Sequence, residues 1–97
     1  MTTLLPPTPP GEILAEDFLG PMGISQYKLA HDIGVPRSRV AAIVAGTRAI
    51  TADTALRLSR YFGLSERYWL EAQLRYDLEV AHDTLAGELQ KITPIAS

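Results

Sequence analysis

Residues 29–43 constrain the fold most: Leu29-Ala30, then Gly34-Val35, then Val40 and Ile43. At this spacing two short helices meet through a tight turn. A steep helix crossing needs a small residue at the point of approach, and Ala30 supplies it. The turn needs a residue that tolerates positive φ, and Gly34 supplies it. Val40 and Ile43 then insert between the two helices and the rest of the core. Pro36 suits the first position of the second helix, where a missing N–H costs nothing. Each of these residues is common alone; the full set of intervals is not.

This helix-turn-helix lies in a chain that reads as five helices. Pro6, Pro7, Pro9 and Pro10 forbid a helix over residues 1–10 and favour an extended arm. A first helix begins near Gly11 and Glu12, repeats Ile13, Leu14, Phe18 and Leu19 at helical spacing, and is expected to stop at Gly20-Pro21. Ser25 caps a second helix, Gln26 to Ile33. The third runs from Pro36 to about Ala45 and stops at Gly46. Thr51 is the expected cap of a fourth, which ends at Gly63. Ser65 is the expected cap of a long fifth helix, Glu66 to about Leu89, with Pro94 beyond it. No segment alternates like a strand. The predicted fold is all-α, with residues 11–64 as a compact core and residues 65–97 as a long C-terminal helix and tail serving packing and dimerisation.

Composition narrows the chemistry. The chain has 97 residues, enough for one small domain, and no cysteine, which excludes disulfides, thiolate metal sites and cysteine nucleophiles. His31 and His82 fall on different helices, and neither has a serine or acid at a catalytic spacing. No glycine loop of the phosphate-cradling kind is present. No cofactor, metal site or catalytic activity is therefore expected. No apolar run approaches a membrane span and no export signal stands at the N-terminus, so a cytoplasmic protein is expected.

Net charge is only −2, but its distribution is uneven. Residues 25–60 hold six basic residues against two acidic ones, while both flanks are acidic. That pattern suggests one cationic surface. A wheel of the third helix sharpens it. Val40, Ile43 and Val44 share one side. Ser38, Ala41, Ala42 and Ala45 share the other, with Arg37 and Arg39 flanking them. Small side chains between two arginines suit a helix that lies deep in the DNA major groove: alanine methyls can meet thymine methyls, and arginine can be bidentate to guanine. Gln26 is a candidate to bond a phosphate or buttress the next helix. Thr47 and Arg48 are candidate anchors for flanking phosphates, and the helix opening at Thr51 and Thr54 is a further one. The candidate DNA-binding set is thus Gln26, Arg37, Ser38, Arg39, Ala41, Ala42, Thr47 and Arg48. The competing readings are an alanine face set against another subunit and an adaptor that uses the fold for protein contacts alone.

The stretch Ser25 to Phe62, through Ser25-Gln26, Leu29-Ala30, Gly34-Val35, Val40 and Gly46-Thr47-Arg48, resembles the five-helix DNA-binding domain of the Xre and phage λ-repressor class. The wider chain, about residues 8 to 82, resembles the HigA-type antitoxins of bacterial toxin–antitoxin modules. Pro10-Gly11-Glu12-Ile13-Leu14 matches that family's opening, as does Gly63-Leu64-Ser65-Glu66-Arg67-Tyr68-Trp69-Leu70 continuing through Gln73 to Tyr76-Asp77-Leu78. Pro10 stands where the family often has histidine. The resemblance implies a homodimer that binds a palindromic double-stranded operator, represses its own operon and neutralises an RelE-like mRNA-cleaving toxin of the HigB type. The alternative is a free-standing repressor of the Xre family without a toxin partner.

The last helix carries two apolar stripes. Leu70, Leu74, Leu78, Ala81 and Leu85 form one; Trp69, Ala72, Tyr76 and Val80 form the other, roughly opposite. One should pack on the domain and the other meet a second chain, unless the tail folds back over it. The Trp69, Ala72, Tyr76 and Val80 stripe is the candidate dimer interface.

Overall fold

A computed structural model describes residues 6–96. Among these residues all regular structure is helical, in five helices. The first, α1, is one continuous rod of three stretches: α-helical Pro10–Ile13, π-helical Leu14–Leu19 and α-helical Gly20–Met22. The others are α2 (Gln26–Ile33), α3 (Arg37–Ala45), α4 (Ala52–Phe62) and α5 (Tyr68–Leu89).

Helix boundaries follow local chemistry in most places. Ser25 Oγ accepts the Lys28 N–H at 3.0 Å and caps α2. Gly34 ends α2 at φ +73°, and the Val35 N–H closes back on the Ala30 carbonyl at 3.0 Å. Pro36 stands one residue before α3, as its N-cap.

Four expectations about the helix ends and the N-terminal arm are corrected. Gly20-Pro21 does not stop α1: Pro21 falls in the first turn after the π stretch, where a missing N–H is tolerated, and the helix ends at Gly23 with φ +65°. Thr51 precedes α4 but its side chain makes no capping bond. Ser65 accepts the Arg67 N–H at 3.2 Å in the turn before α5, so that helix starts at Tyr68 and not at Glu66. The proline arm is shorter than residues 1–10, because Pro10 is helical and buried; residues 1–5 of that arm lie outside the described residues.

The core lies where α1, α2, α3, α4 and the start of α5 converge. Leu14, Leu29, Ala30, Ile33, Val40, Ile43, Ile50, Ala55 and Leu58 form it, closed by Trp69, which is 0% exposed. Phe18 stands between Phe62 (4.8 Å between ring centroids) and Trp69 (5.1 Å), joining α1, α4 and α5. Ala72 is buried as well. This corrects the assignment of the α5 stripes. Trp69 and Ala72 are core residues of their own chain and cannot contact a second one, because indole burial against Phe18 and Phe62 fixes the helix's rotation. Tyr76 is half-buried and Val80 partly exposed. Leu70, Leu74 and Leu78 point outward, Leu74 56% and Leu78 50% exposed.

Gln73 locks α5 to the loop after α3. Its Oε1 accepts the buried Ile50 N–H at 2.8 Å, and its Nε2 donates to Asp77 at 2.9 Å. Beyond Ala81 the residues of α5 are exposed through Leu89, and the tail does not fold back: Ile92 and Ile95 are both exposed.

Candidate nucleic-acid interface

The second helix of the turn unit, α3, is half buried by design of its sequence. Val40 and Ile43 enter the core, while Ser38, Ala41 and Ala45 are exposed and Ala42 is half-buried at the edge. The strip of small side chains is therefore open along α3 in this chain.

The two flanking arginines differ. Arg37 is exposed, and its guanidinium carbon sits 5.8 Å from the ring centroid of Tyr27, at the start of α2. Aromatic contact restrains the arginine and leaves its donors free. Arg39 is more enclosed, with a side chain 25% exposed. Its Nη1 meets Asp53 Oδ1 at 3.3 Å, and its Nε is buried with no acceptor among the described residues. Asp53, in the first turn of α4, also accepts from Arg57 Nε at 2.8 Å. Arg57 in turn donates through Nη1 to the carbonyl oxygens of Ile33 (2.7 Å), the last residue of α2, and Gly34 (3.3 Å), in the turn that follows. One carboxylate thus stands between two guanidinium groups, one from α3 and one tied to the turn.

Gln26 is half-buried at the start of α2. Thr47 is exposed; its hydroxyl donates to the Ala42 carbonyl at 3.2 Å, which leaves its oxygen free as an acceptor. Arg48 is exposed beside it, in a groove that Pro10, Gln73 and Tyr76 help line. Thr54, suggested for a phosphate contact, is buried and offers no hydroxyl to solvent; Thr51 is exposed. Of the candidate residues from α2, α3 and the following loop, Arg37, Ser38, Ala41, Thr47 and Arg48 are exposed, Gln26, Arg39 and Ala42 are partly buried, and none is fully buried. Sequence reasoning passed over Tyr27, Asp53 and Arg57. The four-residue spacing of Asp53 and Arg57 on one helix was a usable signal for that pair. The link from Asp53 to Arg39 spans fourteen positions and two helices, and no local pattern announces it.

A second polar cluster braces α2 against α4. Asp32 accepts from the Tyr61 hydroxyl at 2.6 Å and from Lys28 Nζ at 3.0 Å, with His31 Nδ1 at 3.4 Å. The Tyr61 hydrogen bond first, then those of Lys28 and His31, hold the Asp32 carboxyl down at about 2. The same contact with Asp32 raises both Tyr61 and Lys28 above their ordinary values. Among the described residues, no three histidine or carboxylate side chains gather closely enough to hold a metal ion, and no helix is long and apolar enough to cross a membrane.

The chain as a whole is similar to known proteins. Residues 16–69 match the model of the helix-turn-helix family HTH_3. Virulence-associated protein I of Dichelobacter nodosus is 52% identical over 79% of this chain and 71% of its own length. The antitoxin HigA-1 of Vibrio cholerae is 33% identical over 92% of this chain and 84% of its own. Among solved structures, the Pseudomonas aeruginosa antitoxin HigA with the higBA promoter superposes with a TM-score of 0.87 at 38% identity, covering 92% of this chain and 98% of that one.

Proposed function

The chain belongs to the helix-turn-helix family, and within it to the HigA-type antitoxins; on that premise we propose that it binds operator DNA as a two-fold dimer, represses its own operon and neutralises an RelE-like, mRNA-cleaving toxin of the HigB type. The observation that carries the DNA reading is the open strip of Ser38, Ala41 and Ala45 along α3, flanked by Arg37 and Arg39. A side this bare lets the helix backbone approach base edges, and the flanking guanidinium groups supply directional donors. Thr47 and Arg48 bind phosphate at the flank, and Gln26 orients α3 or bonds a phosphate from α2. The solved HigA with its promoter supports the same use of the fold.

The dimer forms through the outward leucines of α5, Leu70, Leu74, Leu78 and Leu85, all of which stay exposed in the described chain. A row of leucines on one helix face is the kind of surface that a second copy buries. Two copies then present their α3 helices to successive major grooves, ~34 Å apart. Repression follows from occupancy of the promoter.

Two assays test the reading. In a gel-shift series, a duplex from the region upstream of the chain's own gene is retained at nanomolar protein, and a scrambled duplex of equal length is not. In cells, co-expression with an RelE-like toxin, taken from the frame adjoining the chain's gene where one is encoded, restores growth that the toxin alone arrests. Equal binding to both duplexes refutes the operator reading; rescue failure with operator binding intact leaves a free-standing repressor.

A further inference from the structure

Asp53 is an acid on a surface that should favour cations. It stands in the first turn of α4, beside the loop that carries Thr47 and Arg48, and its side chain is 58% exposed. A carboxylate there repels phosphate, so it weakens binding to every DNA sequence alike. Solvated surface ion pairs contribute little to stability; an acid in the first turn also complements the dipole of α4, a modest local gain that does not need the contact with Arg39. Its partners point to another role. Arg57 holds Asp53 at 2.8 Å and is itself anchored on the carbonyls of Ile33 and Gly34, so the carboxylate has a fixed mooring on the turn of the helix-turn-helix. From that mooring it reaches Arg39 at 3.3 Å. The Arg39 guanidinium is thereby held at one edge of the α3 strip while its Nε remains without an acceptor.

We propose that Asp53 is a specificity-setting positioning residue: moored by Arg57, it fixes Arg39 at the edge of the α3 strip and cancels the guanidinium's general attraction for phosphate. The proposal rests on the DNA-binding reading of α3. Two consequences follow from the geometry. A guanidinium already ordered by Asp53 loses less freedom when it meets the correct base. A guanidinium neutralised by Asp53 is also a poor phosphate ligand, so DNA of the wrong sequence gains little from it. Asp53 thus lowers affinity for DNA in general and raises discrimination between sequences.

The test is a set of anisotropy titrations with the full chain against two fluorescent duplexes, one from the region upstream of its own gene and one scrambled, at several salt concentrations. Asp53→Asn keeps the side chain's shape and removes its charge; Asp53→Ser is a second variant that keeps a residue suited to a helix start. Both are expected to bind the scrambled duplex more tightly, to steepen the logarithmic salt dependence by about one, and to lower the ratio of operator to scrambled affinity by about tenfold. In an Arg39→Gln background the same changes leave that ratio unaltered. A ratio unchanged by removal of the carboxylate overturns the inference, as does an equal fall with and without Arg39. A wild-type protein that fails to distinguish the two duplexes overturns the DNA-binding reading itself, and this inference with it.

Discussion

Gly11 lies against the main chain of Ile43 so closely that a Cβ on Gly11 would overlap the Ile43 carbonyl oxygen. The first turn of α1 is therefore a brace on the C-terminal half of α3, the helix whose other face carries the alanine strip. Neighbouring Pro10 is buried in the same contact region. Gly11→Ala forces the two helices apart. It is expected to destabilise the fold by ~1–3 kcal/mol, read as a lower urea midpoint, and to weaken operator binding beyond that loss of stability. Unchanged stability would show that the brace yields freely.

The two faces of α5 separate by substitution. Trp69→Ala empties the core beside Phe18 and Phe62 and should cost ~3–5 kcal/mol, enough to unfold a domain of this size at moderate temperature. Leu78→Asp touches only the outward face. It should leave the monomer folded, with the wild-type circular dichroism spectrum, while sedimentation shows the mass fall from dimer to monomer. Operator affinity then drops because the two α3 helices no longer bind as a pair. A dimer that survives both Leu78→Asp and Leu74→Asp contradicts this placement of the interface.

Acid stability should carry the mark of Asp32. Its carboxyl titrates at about 2 in the folded protein against an ordinary 3.8, because Tyr61, Lys28 and His31 bond its charged form. A depressed carboxyl contributes stability that is fully present above its unfolded value and is lost as pH falls through the folded one. The contribution therefore holds above pH ~4 and disappears between about 4 and 2. Asp32→Asn should flatten the pH dependence of the thermal midpoint across that window and leave operator specificity unchanged. An acid limb identical to the wild type would mean that the cluster does not couple to folding.

Much of this architecture is legible from residue order because its determinants are local. Ser25 before α2, and Gly34, Gly46 and Gly63 after α2, α3 and α4, each act within a turn of their own position, and all three glycines adopt positive φ. What escaped is what depends on distant partners. The π stretch of α1, whose Leu14 and Leu19 are both buried, has no local sequence signal, and the helix continues past Pro21. Both stripes of α5 are apolar, and only the placement of Phe18 and Phe62 decides that Trp69 turns inward. Gln73 reads as a polar residue in a gap between stripes, yet it is buried and holds Ile50. At the candidate interface, the exposed face of α3 follows from periodicity, whereas the hold of Asp53 on Arg39 does not.

The two kinds of arginine contact should differ in kind. Arg39→Ala should lose ~1–3 kcal/mol at one base position and relax the preference there, whereas Arg48→Ala should weaken all sequences by a similar factor and lower the salt slope by about one. Affinities for a panel of operators with single base changes distinguish the two patterns. Identical profiles for both variants would mean that Arg39 contacts only the backbone.

Ala41 gives the most direct test of the strip itself. It is exposed on α3, and glutamate is nearly as good a helix former, so Ala41→Glu should leave the thermal midpoint almost unchanged. In the groove, its carboxylate would face base edges and phosphates. Operator affinity, measured by anisotropy at fixed salt, is expected to fall by about 100-fold or more. A folded Ala41→Glu protein that binds the operator as tightly as the wild type would contradict the placement of this face against DNA.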